Sequence, residues 1–232
     1  MPFRSAIPDQ RRFHNREEAG RLLADRLKEN ANRTDVIVLA LPRGGVPVGF
    51  EIAKALHVSL DVFVVRKLGV PGHEELAMGA IASGGVRVLN EDVVRELGLP
   101  PSIIDRTAHR EEQELRRREL AYRDNRPFPE LQGRIVILVD DGLATGSTMR
   151  AAARALRGHR PARIIVAVPT AAPETCEAMR SEADEVICAM TPDPFYAVGL
   201  SYEEFAQTTD DEVRALLARS AEALAADAGR PR

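Results

Sequence analysis

The chain has 232 residues, of which 44% are hydrophobic and 29% charged, the composition of a soluble globular protein able to bury an ordinary core as a single domain. Its formal net charge of -3 offers no cationic surplus, which argues against general binding of nucleic acid or of an anionic membrane surface. No charged-then-apolar leader follows Met1 and no apolar run approaches the roughly 18 residues of a membrane span, so a cytoplasmic protein without a membrane partner is expected. Cys176 and Cys188 have no His or Cys close by in sequence and are expected to be two reduced, packed thiols rather than a disulfide or a zinc site.

Asn15 can cap a helix over about Arg16 to Lys28, with Ala19, Leu22, Leu23 and Leu27 on a packing face. Asp35 to Leu41, DVIVLAL, is a short β-branched run that reads as a buried strand, and it ends in Pro42, Arg43, Gly44 and Gly45. Glycines let a loop turn its amides on an anion, and Arg43 adds a forked cation suited to phosphate; a plain turn with a surface Arg is the competing account. A helix over Val46 to Leu56 and a strand over Leu60 to Val65 come next. That strand delivers Arg66 and Lys67 into Leu68 to His73, expected to be a mobile loop with cations at its root, although a solvated basic turn would look the same.

Glu75 to Ala82 and Val86 to Leu89 read as two strands joined around Ser83, Gly84 and Gly85. Glu74 and Glu75 could exchange protons with a nucleophile, but exposed hairpin acids are common and the general acid or base stays unassigned. Asn90 caps a short helix ending near Gly98, and Ser102 with Asp105 starts a longer one reaching about Asp124. Its body, HREEQELRRREL, reads as a solvated face of paired charges in preference to a basic nucleic-acid surface.

Val136 to Thr148, VILVDDGLATGST, concentrates chemistry. Four apolar residues form a buried strand, Asp140 and Asp141 stand at its carboxyl end, and Thr145, Gly146, Ser147 and Thr148 stand where a helix begins. Free amides and a positive dipole end suit one phosphate, with Gly146 permitting close approach and three hydroxyls adding donors. The carboxylates suit the vicinal hydroxyls of a ribose, or help hold a divalent cation. An ordinary strand-to-helix connection with one capping Asp is the alternative, and a nucleotide triphosphatase loop is excluded by Ser147 where its Lys must stand. The helix continues over Met149 to Leu156, followed by a strand at Arg163 to Val168, a helix from Pro173 to Met179 and a strand at Glu185 to Ala189. This alternation implies an α/β fold with a parallel sheet covered on both faces and ligands at its carboxyl edge. Phe195, Tyr196, Tyr202 and Phe205 then gather aromatics that suit a flat base or a hydrophobic cap, and Asp211 to Ala225 is an amphipathic helix with Val213, Leu216 and Leu217 inward.

VILVDDGLATGST resembles the phosphoribosyl pyrophosphate (PRPP) motif of type I phosphoribosyltransferases, and VDDGLATGSTMRAA is most similar to the version in adenine phosphoribosyltransferases. LPRGG resembles in place and composition the pyrophosphate loop of these enzymes, which implies a non-proline cis peptide at Pro42-Arg43 or its neighbour. RKLGVPG resembles the Arg-Lys pair and flexible catalytic loop of the adenine and orotate enzymes. LALPRGGVPVG, VVRKLGVPG and VDDGLATGSTM together are similar to a family of bacterial phosphoribosyltransferases without an assigned acceptor, found alone or beside hydrolase domains.

The resemblance implies the type I phosphoribosyltransferase fold in one domain over 1–232, with a core over about 33–190, a loop or hairpin, and a small hood from the N-terminal and about 191–225 segments. It implies transfer of 5-phosphoribosyl from PRPP to a nitrogenous base or amine with release of pyrophosphate, in the presence of Mg2+, by a likeness that also favours a homodimer. PRPP would be bound by Arg43, Gly44, Gly45, Asp140, Asp141, Ala144, Thr145, Gly146, Ser147 and Thr148. Asp140, Asp141, Arg66 and Lys67 would be catalytic, with Asp140 and Asp141 meeting the metal directly or through substrate or water. Phe195 and Tyr196 are the candidates for the acceptor site. Ser201 replaces the acid that hypoxanthine enzymes carry after VG. Ala144 stands where 6-oxopurine enzymes have an Asp, and no Lys occurs at Val168, Pro169 or Thr170, so hypoxanthine and guanine are disfavoured. Ala77 and Met78 replace the Glu and Tyr of adenine enzymes, which leaves adenine unsupported. Regulators of the same fold that sense PRPP or a nucleotide and bind RNA or DNA form the alternative; a PRPP synthetase would need a second related domain, and no repeat is present.

Overall fold

A computed structural model describes residues 12–123 and 126–228. The first helix, α1 (Arg16–Arg26), is capped as expected, the Asn15 side chain accepting from the Glu18 amide. It leads to β1 (Val36–Ala40), α2 (Gly45–Leu56) and β2 (Ser59–Val62). Next come three antiparallel strands, β3 (Val65–Val70), β4 (His73–Ala82) and β5 (Val86–Leu89), and the helices α3 (Glu91–Glu96) and α4 (Pro101–Arg123). The second half alternates β6 (Ile135–Val139), α5 (Ser147–Arg157), β7 (Arg163–Thr170), α6 (Pro173–Met179) and β8 (Glu185–Met190). A 3-10 turn at Val198–Ser201 and α7 (Asp210–Ala228) complete it.

The main sheet has the order β2-β1-β6-β7-β8 and every pairing in it is parallel. Alternate side chains of each strand point to opposite faces, and both faces are covered. Val36 and Val38 of β1 and Ile137 and Val139 of β6 pack with Leu23, Val48 and Ile52 of α1 and α2. Ile37, Leu39, Val136 and Leu138 pack with Met149, Ala152 and Leu156 of α5 and Met179 of α6. Each of these buried Val, Leu, Ile and Met side chains contributes about 1.5–3 kcal/mol, so the two central strands are anchored firmly at the point where their loops emerge.

Strand order reverses between β1 and β6: from β1 the chain moves outward to β2, and from β6 it moves the other way to β7. Ala40 pairs with Val139, and the Leu41 amide donates to the Val139 carbonyl at 2.8 Å. The loops after β1 and β6 therefore open side by side, which is the switch point where ligands of open α/β sheets sit.

Three expectations need correction. The strand foreseen over Leu60 to Val65 is two strands in different sheets; Phe63 and Val64 cross between them, with the Ser83 hydroxyl accepting from the Val64 amide. Leu68 to His73 is not an open loop but the turn end of the β3–β4 hairpin, because Leu68 and Val70 bury inward and Gly69 accommodates a register shift where its Cβ would lie 2.7 Å from the Glu74 carbonyl oxygen. Cys176 and Cys188 are disulfide-bonded, with Cα atoms 6.5 Å apart, since α6 packs along β8 and brings together residues 12 apart in sequence. The helix end expected near Asp124 lies outside the described residues, as do residues 1–11 of the longer N-terminal segment expected to contribute to the hood. α7 packs against α2, α4 and β2, with Val213, Leu216 and Leu217 buried as expected.

Candidate active site

Two loops meet at the switch point. The Pro42-Arg43 peptide bond is cis, in the position expected for it, and the loop runs directly into α2. A Cβ on Gly44 would lie 2.6 Å from Asp141 Cγ, and one on Gly45 would lie 2.7 Å from the Val139 carbonyl oxygen and 2.9 Å from Asp140 Cα. Only backbone without side chains fits so close to the two acids.

The Asp141 amide donates to Asp140 Oδ1 at 2.9 Å. Burial drives the Asp140 carboxyl well above the ordinary carboxylate range, and the charge of Asp141 adds to this. Burial also raises the Asp141 carboxyl, but Arg16 opposes that rise. Arg16 Nε donates to Asp141 Oδ2 at 2.9 Å and Nη2 lies 2.8 Å from the same oxygen. Its guanidinium carbon sits 3.9 Å from the centre of the Phe205 ring, which stacks on Tyr202 with centroids 5.0 Å apart. The Tyr202 hydroxyl donates to the Asp141 carbonyl oxygen at 2.6 Å.

Beyond the acids, Gly146 adopts a left-handed φ of 66° just before α5, a conformation that favours glycine, and a Cβ there would meet Thr175 Cγ2 at 2.7 Å. The Thr175 hydroxyl donates to the Ala144 carbonyl oxygen at 2.7 Å, so α6 braces this turn. Thr145 Oγ1 and Ser147 Oγ are 3.2 Å apart, and Lys67 Nζ donates to Ser147 Oγ at 2.7 Å. A lysine from the three-stranded sheet thus arrives at the first turn of α5, where free amides and the helix dipole already favour an anion.

Arg66 does not share that contact. Its Nε and Nη2 donate to Glu111 Oε2 of α4 at 2.9 and 2.6 Å. Both cations nevertheless border one cleft of about 320 Å³, together with Thr148, Glu74 and Arg110. Arg43 leans toward α7, Nη1 standing 3.7 Å from Asp210 Oδ1, a half-exposed pair weak enough to yield to a ligand. Phe195 is half-buried and Tyr196 is 74% exposed; neither joins a ring contact among the described residues. Ser201 is buried with its hydroxyl 2.8 Å from Thr170 Oγ1. Met78, on β4 of the hairpin, is fully buried. Two backbone amides hold the exposed Glu74 carboxyl below its ordinary range; the Glu75 side chain lies outside the described residues.

A family model described as "Phosphoribosyl transferase domain" matches residues 71–204. The chain belongs to this family. Two proteins from strains of Mycobacterium tuberculosis, provisionally named phosphoribosyl transferases, are each 49% identical to it over 220 residues, covering 93% of this chain and 49% of their own length. The chain thus spans about half the length of these curated relatives. The crystal structure of TT1426 from Thermus thermophilus superposes with a TM-score of 0.82 at 43% identity, covering 90% of this chain and 98% of that one. The "Bifunctional protein PyrR" of a Roseiflexus species is 29% identical over 143 residues, covering 61% of this chain and 58% of its own.

Sequence reasoning missed Arg16 and the placement of Tyr202 and Phe205 beside Asp141. Arg16 stands at the start of a helix read only as packing, and its distance of 125 residues from Asp141 hid the contact. The available signal was Asn15, whose cap marks Arg16 as the first residue of the helix.

Proposed function

We propose that this chain acts in the cytoplasm, in a homodimer and through one domain formed by residues 1–232, as a phosphoribosyltransferase that moves the 5-phosphoribosyl group of PRPP onto a nitrogenous base or related amine and releases pyrophosphate. The observation that carries this reading is the switch-point crevice, where a side-chain-free Gly44–Gly45 loop lies against Asp140 and Asp141 beside the N-terminus of α5. An anion-binding loop, a sugar-binding acid pair and a second anion site are the three recognition elements that PRPP demands.

The amides at 145–148 and the hydroxyls of Thr145, Ser147 and Thr148 receive the 5-phosphate, with Ala144 lining the turn. Asp140 and Asp141 accept the ribose hydroxyls and favour positive charge growing at the anomeric carbon. Gly44, Gly45 and Arg43 cradle pyrophosphate, while Lys67 and Arg66 stabilise the charge it gains as it leaves. The hairpin and the aromatic segment around Phe195, Tyr196, Tyr202 and Phe205 cover the acceptor and limit capture of the cation by water. Among the described residues there is no group of three or more His, Cys, Asp or Glu placed to hold a metal. Two adjacent carboxylates fit Mg2+ that keeps most of its oxygens from substrate and water, with Asp140 and Asp141 as the protein's share. Bound in that way, the ion would neutralise pyrophosphate charge.

The arginine run of α4 is paired along the helix, Arg116 with Glu112 and both Arg117 and Arg118 with Glu114, which favours the enzyme over a nucleic-acid-binding regulator. The test is pyrophosphate release from PRPP and Mg2+ across a panel of bases and small amines, with wild type and Asp141→Asn. Wild type should turn over with at least one acceptor, and the variant should fold normally and lose about 10²–10³-fold in rate. Full activity in Asp141→Asn would sink the site. PRPP-dependent binding of RNA or DNA without turnover would replace the enzyme by the regulator.

A further inference from the structure

Arg16 is a charged side chain that is only 11% exposed, and every contact it makes converges on the two segments that frame the acid pair. Nε and Nη2 both engage Asp141 Oδ2, Nη1 donates to the Ala206 carbonyl oxygen at 2.7 Å, and the planar face lies on Phe205. The Asn15 cap holds the first turn of α1, and with it the root of this side chain. Asp141 Oδ2 is further walled by Gly44, whereas Asp141 Oδ1 has no hydrogen-bond partner among the described residues. One oxygen is fastened and the other is offered.

We propose that Arg16 is a positioning residue that locks Asp141 with Oδ1 turned to the ribose of PRPP, and that clamps the 202–206 segment over the same carboxylate. The proposal rests on the PRPP assignment above and deepens it. With all three of its nitrogens engaged, the guanidinium acts through Asp141 and not as a phosphate ligand. The fork geometry matters: a lysine ammonium is a point charge that can reach Asp141 but cannot also bridge to Ala206 and lie flat on Phe205. Tyr202 reinforces the clamp from the backbone side through its bond to the Asp141 carbonyl. Donor and acceptor halves of the site are thereby joined at one carboxylate.

The test compares wild type, Arg16→Met, Arg16→Lys and Phe205→Leu in the full chain, measuring KM for PRPP, KM for the acceptor, kcat, calorimetric PRPP binding and thermal melting. Arg16→Met should raise the PRPP KM and Kd about tenfold or more, the scale of one charge-assisted hydrogen bond, with a smaller rise in the acceptor KM as the 202–206 segment loses its clamp and a smaller change in kcat than Asp141→Asn causes. Arg16→Lys should recover part of that loss, and Phe205→Leu should weaken PRPP in the same direction by less. If Arg16→Met fails to fold, Arg16→Lys and Phe205→Leu decide: PRPP constants equal to wild type in both overturn the proposal. A wild type that binds PRPP no better than Arg16→Met overturns it while leaving the PRPP assignment standing. A wild type that binds no PRPP at all removes both.

Discussion

Gly44 has a helical φ of -59°, so nothing in its own backbone conformation demands glycine. Space demands it, because an added Cβ would run into the Asp141 carboxylate. We therefore expect Gly44→Ala to push the loop and the acid apart, costing about 1–3 kcal/mol of stability and weakening PRPP binding about tenfold or more. Urea denaturation and calorimetry measure the two effects; wild-type affinity in this variant would mean that the loop does not contact the ligand. Gly146 is different, since its φ of 66° and its contact with Thr175 both require glycine. At this scale the site was legible wherever chemistry is local in sequence. Asp140, Asp141 and the residues 144–148 lie in one short stretch between β6 and α5, and it is their types that led to the proposal of an anion and a sugar. Arg16 was not legible, because a cation at the start of a helix has many ordinary uses and its partner lies far along the chain.

The elements explain why two neighbouring residues separate. Arg66 and Lys67 were expected together at the root of a loop, but they lie on β3, where successive side chains alternate. Lys67 reaches Ser147 of α5 and Arg66 reaches Glu111 of α4, so the strand links both helices across the cleft. The disulfide has a similar structural reach. It joins α6 to β8, and Thr175, the neighbour of Cys176, holds the Ala144 carbonyl of the turn before α5. Cys176→Ser should lower stability by about 2–3 kcal/mol, the loop-entropy value for a link of this span. Equilibrium denaturation with and without reductant checks it: reductant should destabilise wild type to the level of the variant and leave the variant unchanged. Equal stability of wild type and variant without reductant would show that the bond does not constrain the fold.

Across the whole molecule, Arg123 is a polar tie between α4 and the main sheet, beside the apolar packing that joins the same layers. Its side chain is 4% exposed; it bonds Asp61 of β2 at 2.9 Å and Glu119 at 2.7 Å, donates to the Val62 carbonyl, and lies over Phe128. Removing one partner of such a network leaves the others desolvated, so Arg123→Ala should cost about 3 kcal/mol. A shift in denaturation midpoint of that size, at unchanged m-value, is the expected result; no shift would show that the α4 layer is held by apolar packing alone. No helix among the described residues is long and apolar enough to cross a membrane.

Sequence by itself determined the alternation of buried strands and amphipathic helices, the parallel character of the main sheet and the loops that carry the candidate chemistry. It could do so because periodicity, capping and glycine placement are local properties, set by steric and hydrogen-bonding preferences within a few residues. Tertiary structure alone decided which of those loops face one another, that β3 leaves the main sheet, that Cys176 meets Cys188, and that Arg16 closes on Asp141. Each of these depends on strand order and on helix packing, where partners separated by many residues are chosen by the burial of whole faces rather than by their neighbours in the chain.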